Sequence, residues 1–180
     1  MSFSIDKSIE ILERTPVVIE TMLKGISKDW VTKNEGPKTW SAFDIVGHLI
    51  HGEKTDWIPR MEIILSNKTN KKFVPFDRFA QFKNSKGKSL HQLINEFKKL
   101  RKNNISKLKS KRLQTKYLNK KGIHPAFGNV TLKQLLATWV VHDLNHIAQI
   151  SRVMAKQYKK EVGPWKEYLK IIQQDRKSVV

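Results

Sequence analysis

The 180-residue sequence contains no cysteine. Disulfide bonds, thiolate metal sites and a cysteine nucleophile are therefore excluded, which leaves histidine, aspartate and glutamate as candidate ligands or catalytic groups. The sequence also lacks any run of about 18 consecutive apolar residues, so it predicts no transmembrane helix. Its first residues, MSFSIDKSIEILERT, do not combine a basic stretch with a following apolar one, as secretory signals do. We therefore expect a cytoplasmic protein.

Acidic residues are scarce: 16 Asp and Glu stand against 35 Lys and Arg, for a formal net charge of +19. The excess is concentrated in residues 67–121, which hold 18 basic and 2 acidic side chains. This basic segment could bind nucleic acid or another polyanion. A solvated lysine-rich face is the favoured interpretation, because only seven of the 35 basic residues are arginine, the residue preferred for bidentate phosphate recognition.

The residues that are present predict a helical protein. A hydrophobic content of 39% and a charged content of 28% are typical of globular chains, and we expect one domain over residues 1–180. Three capping boxes, in which a Ser or Thr is followed three residues later by an acidic or amide side chain, mark helix starts. Apolar residues at spacings of three and four follow each box. The boxes are Ser41 with Asp44, Ser89 with Gln92, and Thr131 with Gln134.

Proline predicts two irregularities in these helices. Pro16 lies halfway along the first helix, so we expect a kink there, or a new helical segment starting with Thr15 as N-cap. Pro59 should kink the second helix. Residues 119–129 are predicted to be a loop and residues 164–174 a short amphipathic helix, and no strand-like alternation persists. The predicted fold is all-α, a four-helix bundle with kinked first and second helices and a short C-terminal helix.

Two histidines interrupt the apolar stripe of the fourth helix, where Leu135, Trp139, His142, His146 and Ile150 follow at steps of four and three. They should therefore point into the bundle. Side chains four residues apart on a helix are close enough for two imidazoles to bind one cation. A buried imidazole needs either hydrogen-bond partners or a metal. Spacing alone leaves both alternatives open.

The second helix can supply a third imidazole, since His48 lies at the edge of its apolar face. Three histidines with an open position are typical of a catalytic metal site, whereas a structural zinc site is closed by four protein ligands. The sequence HDLNH, residues 142–146, has Asp143 where the metalloprotease motif requires glutamate. A metallopeptidase is therefore excluded.

Residues 40–60 (WSAFDIVGHLIHGEKTDWIPR) and 127–158 (FGNVTLKQLLATWVVHDLNHIAQISRVMAKQY) resemble the DinB-like superfamily. The resemblance extends over nearly the whole chain and implies an up-down-down-up bundle. It also implies one divalent metal ion bound by three histidines, which correspond to His48, His142 and His146. Zinc and nickel suit imidazole ligands, and iron or manganese is also compatible with them.

The resemblance further implies a metal-dependent enzyme acting on a small molecule. Relatives include S-transferases that use low-molecular-weight thiols, as well as hydrolases, and the metal would favour the nucleophilic form of a bound thiol or water. Any thiol must come from the substrate, because the chain has no cysteine. Family members often form homodimers, so the resemblance leaves a homodimer as one alternative, which the sequence itself neither supports nor opposes. The alternatives are a nucleic-acid or polyanion-binding module using residues 67–121, and a non-catalytic metal-binding scaffold.

Other polar residues lie near the expected site. Asp143 and Gln149 are candidates to accept a hydrogen bond from the N–H of a metal-ligating imidazole. Arg152 could contact an anionic substrate and Glu53 a ligating histidine, although an ion pair or a solvated position is favoured for both. His51 could be a substitute ligand, a proton shuttle or a packing residue, and the family pattern favours the packing role.

Overall fold

Four long helical segments dominate the computed structural model, which describes residues 2–174. They are α1 (Ile5–Leu23), the consecutive helices α3 (Ala42–Thr55) and α4 (Trp57–Leu65), α6 (Leu90–Ser110) and α7 (Leu132–Lys156). The shorter elements are α2 (Lys28–Thr32), α5 (Ala80–Asn84), β1 (Lys121–His124), β2 (Gly128–Thr131) and α8 (Lys170–Gln173). Within the described residues, no helix has the length and apolar character needed to cross a membrane.

Capping boxes begin three of the long helices, as the sequence predicts. In each box the N-cap hydroxyl accepts a hydrogen bond from the backbone amide three residues later, at 3.2 Å. The side chain of that residue in turn accepts a hydrogen bond from the N-cap backbone amide, at 2.7–2.9 Å. The N-cap residues are Ser41 for α3, Ser89 for α6 and Thr131 for α7. These bonds satisfy amides that a helix start would otherwise leave unpaired.

Pro16 lies inside one uninterrupted helix, so the predicted start of a new segment at Thr15 is wrong. The Thr15 hydroxyl instead donates to the carbonyl of Ile11 at 3.1 Å. Proline has no N–H, so the Leu12 carbonyl lacks its usual donor four residues later in α1. Arg101 of α6 donates to this carbonyl at 2.7 Å. A bond from the neighbouring helix thus replaces the helical one, which explains why α1 can continue.

The predicted kink near Pro59 is confirmed as a break between α3 and α4. The backbone departs from helical geometry at Asp56, with φ −110° and ψ −71°. Pro59 cannot donate a hydrogen bond to the carbonyl of Thr55, where α3 ends. The break therefore falls one turn before the proline.

Two hydrophobic clusters establish the direction of each helix. The first cluster contains the N-terminal parts of α1 and α7 together with α4 and the C-terminal part of α6. The second contains the C-terminal parts of α1 and α7 together with α3 and the N-terminal part of α6. Helices α1 and α7 therefore run one way along the bundle, and α3–α4 and α6 run the other way. This arrangement is the predicted all-α four-helix bundle of up-down-down-up type.

Residues 119–129 were predicted to be a loop, and this prediction is incomplete. The strands β1 and β2 form an antiparallel hairpin in and beside this stretch. Its edge also pairs with the preceding connection, where the amide of Phe73 donates to the carbonyl of Ile123 at 2.9 Å. Gly122 permits the close packing, since a Cβ there would lie 2.5 Å from the Phe73 ring. Strands of four residues are too short for apolar alternation to show in the sequence.

The C-terminal helix predicted for residues 164–174 is divided in two. A 3₁₀ helix covers Gly163–Tyr168, and α8 follows after Leu169, whose backbone (φ −102°, ψ 79°) is not helical. Ile172 of α8 is buried and attaches the end of the described chain to the bundle.

Candidate metal centre

Three histidines from two different helices meet inside the bundle. His48 projects from α3 towards α7, and His142 and His146 project from successive turns of α7. Nε2 of His142 lies 3.2 Å from Nε2 of His48 and 3.1 Å from Nε2 of His146. One ligand nitrogen from each ring lies within 4.8 Å of the other two. The structure thus brings together the three side chains that the sequence singles out.

These distances fit a shared metal ion. Zinc–nitrogen bonds of about 2.0–2.1 Å place two ligand nitrogens about 3.3–3.4 Å apart at a tetrahedral angle, and about 2.9 Å apart at an octahedral one. The observed separations of 3.1 and 3.2 Å lie between these values. The donor set, three imidazoles without thiolates, suits zinc, nickel, iron or manganese.

Aromatic rings surround the histidines and remove them from water. Trp40 lies 4.7 Å from the His48 ring, and Trp57 lies 5.1 Å from the His142 ring, measured between centroids. Phe76, from the connection between α4 and α5, meets His48 edge-on at 5.3 Å. Both tryptophans are almost completely buried. This collar gives the ligand nitrogens largely apolar surroundings, while His142 remains partly exposed.

Burial also keeps the imidazoles uncharged. Loss of solvation is the main cause that lowers the pKa of His48 to about 3, and the neighbouring His146 lowers it further. Loss of solvation likewise holds the pKa of His142 well below its usual value. The pKa of His146 is lowered by burial, against opposing effects of Gln149 and Asp143. Neutral imidazole is the form that binds a metal, so the three rings are ready to act as ligands.

Gln149 occupies the position expected of a partner for a ligating imidazole. Its Oε1 lies 2.7 Å from Nδ1 of His146. Because an amide oxygen can only accept, the His146 proton is on Nδ1 and the lone pair of Nε2 faces the other histidines. The Nδ1 atoms of His48 and His142 are buried without a hydrogen-bond partner among the described residues.

Asp143 makes no hydrogen bond to an imidazole among the described residues, so the predicted pairing with a ligating histidine is not observed there. Its two carboxylate oxygens accept hydrogen bonds from Nη1 and Nη2 of Arg101, at 2.6 and 3.0 Å. Arg101 is itself only 2% exposed. A bidentate pair of this kind occupies both oxygens and leaves the carboxylate committed to the arginine.

Glu53 belongs to the same buried network, and the favoured ion-pair interpretation agrees with the structure. Its Oε1 accepts from Nε and Nη2 of Arg101, at 3.0 and 2.8 Å, and from Nε1 of Trp139 at 3.1 Å. Asn104 donates to the other oxygen at 2.9 Å. With the bond to Leu12, all five N–H groups of Arg101 are paired, and the network connects all four long segments.

Arg101 was not singled out in the sequence, although a signal for it exists. It lies four residues after Phe97 and four before Ile105, both of which are buried. A charged residue within an apolar stripe must find a buried counter-charge, by the same reasoning that applies to the histidines of α7. The partners themselves lie more than 40 residues away in sequence and could not be inferred from spacing.

The remaining candidates lie outside the histidine cluster. Nε of Arg152 forms an ion pair with Glu35 at 3.0 Å, as the favoured interpretation expects. His51 packs against Phe76 with 4.8 Å between ring centroids. At least two cations of the basic segment are engaged with the rest of the chain: Lys109 pairs with Glu13 at 2.7 Å, and Arg101 is buried.

The sequence matches the family model of the DinB superfamily over residues 11–150. The chain belongs to the DinB superfamily. The match contains all three clustered histidines of this DinB chain and confirms the resemblance seen in the sequence. A search of curated proteins finds no significant match.

A comparison with solved structures supports the same fold for this DinB chain. It is similar to YfiT from Bacillus subtilis, described as a probable metal-dependent hydrolase with an unusual four-helix bundle topology. The TM-score is 0.73 at 20% sequence identity, and the match covers 88% of this chain and 91% of YfiT. At this identity the likeness establishes the bundle topology.

Proposed function

We propose that this protein is a metal-dependent enzyme that acts on a small molecule at His48, His142 and His146, either as a hydrolase or as a thiol-dependent S-transferase. The observation that carries the proposal is the convergence of three imidazoles, two buried and that of His142 half-buried, on helices that the buried Arg101 network holds together. The Nε2 separations are 3.1 and 3.2 Å. The description of YfiT as a probable metal-dependent hydrolase agrees with it.

The protein's own residues prepare the site in two ways. Gln149 fixes the proton of His146 on Nδ1, and packing against Trp40 and Trp57 helps to keep the rings neutral. A divalent ion held there would act as a Lewis acid and would favour the deprotonated form of water or of a substrate thiol. With three protein ligands, positions remain open for a substrate. Asp143 and Glu53 are committed to Arg101, so neither is available as a base.

Metal binding is tested on untagged protein stripped with a chelator. Calorimetric titration with zinc, nickel, manganese or ferrous ions should give a stoichiometry of one bound ion per chain. His142→Gln removes the ligand that lies between the other two and should weaken binding at least tenfold. The matched control is His91→Gln, which changes an exposed histidine of α6 whose ring contacts Asn95. Equal affinities for the two variants, or no uptake of any ion, would exclude the site.

The two reaction classes are distinguished by the product. Metal-loaded protein is incubated with ester substrates, and with electrophilic substrates together with a small thiol such as bacillithiol. A transferase consumes the free thiol and forms a thioether, whereas a hydrolase incorporates oxygen from labelled water. The chain contributes no thiol of its own, so any thiol loss reports on the substrate. Metal binding without turnover of either kind would favour the alternative of a non-catalytic scaffold.

Three other expectations stay predictions. Polyanion binding by residues 67–121 would show as affinity for DNA or RNA that falls steeply with salt. The ion pair of Lys109 with Glu13 and the burial of Arg101 reduce the charge that this segment offers to a partner. A homodimer would be seen by light scattering, and a cytoplasmic location by fractionation of the cells.

A further inference from the structure

The side chain of Gln81, in the short helix α5, has an unusual environment. It is 0% exposed, yet neither its Nε2 nor its Oε1 has a hydrogen-bond partner among the described residues. Burying an amide in this state is destabilising. Leucine, of similar size, would avoid that cost, so the presence of glutamine at this position points to a state of the protein in which the amide is used.

Gln81 lies beside the helix turn that carries His48. A Cβ on Gly47 would lie 3.1 Å from Cβ of Gln81 and 2.4 Å from Oγ of Ser85, so α5 packs directly on α3 where Gly47 has no side chain. The same connection brings Phe76, five residues before Gln81, against the His48 ring. The segment that carries Gln81 therefore covers the His48 side of the centre.

His48 lacks the partner that His146 has. Nδ1 of His48 is buried without a hydrogen bond among the described residues, whereas Nδ1 of His146 is bonded to Gln149. A ligating imidazole almost always donates its other N–H to an acceptor, which fixes the ring and raises its basicity. When Nε2 of His48 binds an ion, its proton must be on Nδ1, and a buried acceptor is then required.

We propose that Gln81 is a positioning residue whose Oε1 accepts the Nδ1–H of His48 when the three histidines hold a metal ion. A change in the side-chain torsions of Gln81, with a small adjustment of the His48 ring, would then satisfy two buried groups at once. Gln81 would serve His48 as Gln149 serves His146. The inference rests on the metal site of the proposed function and adds a ligand-supporting residue from α5.

The test uses Zn²⁺ alone and two matched variants, Gln81→Leu and Gln149→Leu. Each should lower Zn²⁺ affinity about 10–100-fold, as loss of such a partner typically does. The metal-free forms of the two variants should differ in stability. Gln149→Leu removes an existing bond and should lower the urea midpoint, whereas Gln81→Leu removes none and should leave the midpoint unchanged or raise it.

A spectroscopic measurement separates positioning from a purely structural role. In Zn²⁺-loaded wild-type protein, NMR should show a slowly exchanging Nδ1–H for His48, and Gln81→Leu should abolish it while the His146 signal remains. Persistence of the His48 signal, unchanged affinity of Gln81→Leu, or a lower midpoint of its metal-free form would each overturn the inference while leaving the metal site intact. Failure of the wild type to bind Zn²⁺ would instead overturn both proposals.

Discussion

Replacement of Arg101 by methionine should destabilise the protein severely. The change retains most of the apolar stem but leaves Glu53, Asp143 and the Leu12 carbonyl without their donor in a buried layer. Removing one partner of a buried ion pair typically costs about 3–5 kcal/mol, and two carboxylates are affected here. Domains of this kind are stable by only about 5–15 kcal/mol, so a large part of the total would be lost.

The assay is urea unfolding followed by circular dichroism, and the matched control is Lys109→Met on the same helix. Lys109 pairs with Glu13, but both side chains are about half exposed, so the control should cost at most about 1 kcal/mol. For Arg101→Met the midpoint should fall by about 2 M, assuming a urea dependence of about 2 kcal/mol per M. Similar midpoints for the two variants would refute the assignment of Arg101 as the residue that connects the four helical segments.

The stability of Arg101→Met should also depend on pH in a defined direction. Burial raises the pKa of Glu53 in the wild type, while Arg101 opposes that rise. Without the arginine, the folded-state pKa rises further above the unfolded value, so the folded protein binds the proton more tightly. Stability is then lost as the pH rises from about 4 towards that pKa. The difference from the wild type should therefore be larger at pH 7 than at pH 4.5.

Three further changes have defined outcomes. Gly122→Ala places a Cβ 2.5 Å from the Phe73 ring and should cost about 1–3 kcal/mol in urea unfolding, whereas Gly128→Ala, with nothing within 4 Å, meets only the strain of its positive φ. Thr131→Ala should cost about 1 kcal/mol through loss of the α7 cap; a cost near zero would contradict the capping geometry. In metal-free protein, burial lowers the pKa of His48 to about 3, whereas the pKa in the unfolded chain is about 6.5. The folded state therefore favours neutral His48, and the stability that this gives is complete above pH 6.5 and is lost as the pH falls towards 3. Wild type should thus lose stability more steeply below pH 6.5 than His48→Gln, and parallel pH curves would refute this.

The sequence predicted the candidate site better than its surroundings. His142 and His146 interrupt an apolar stripe at helical spacing, a local pattern that directly indicates their inward orientation. The apolar edge of the second helix offered His48 as a third member, and the family resemblance selected it. Its position opposite α7 is a consequence of the up-down-down-up topology. The predicted helix starts were correct because a capping box depends on neighbouring residues alone.

The errors arose where distant residues determine the local structure. Pro16 does not end α1, because Arg101, 85 positions later, donates to the carbonyl that the proline leaves free. Asp143 is next to a candidate ligand in sequence, but its carboxylate forms an ion pair with the same arginine. The hairpin is stabilised by pairing with the connection around Phe73 as well as by its own bonds. Each of these partners is distant in sequence from the residue that it contacts, so local sequence patterns could not predict the contact.

The most direct test of a metal centre is a crystal structure of untagged protein soaked in a zinc salt, with data collected on both sides of the zinc absorption edge. We expect one anomalous peak within bonding distance, about 2.0–2.1 Å, of Nε2 of His48, His142 and His146. Three imidazoles that remain hydrogen-bonded to one another, with no anomalous density between them at millimolar zinc, would contradict this expectation.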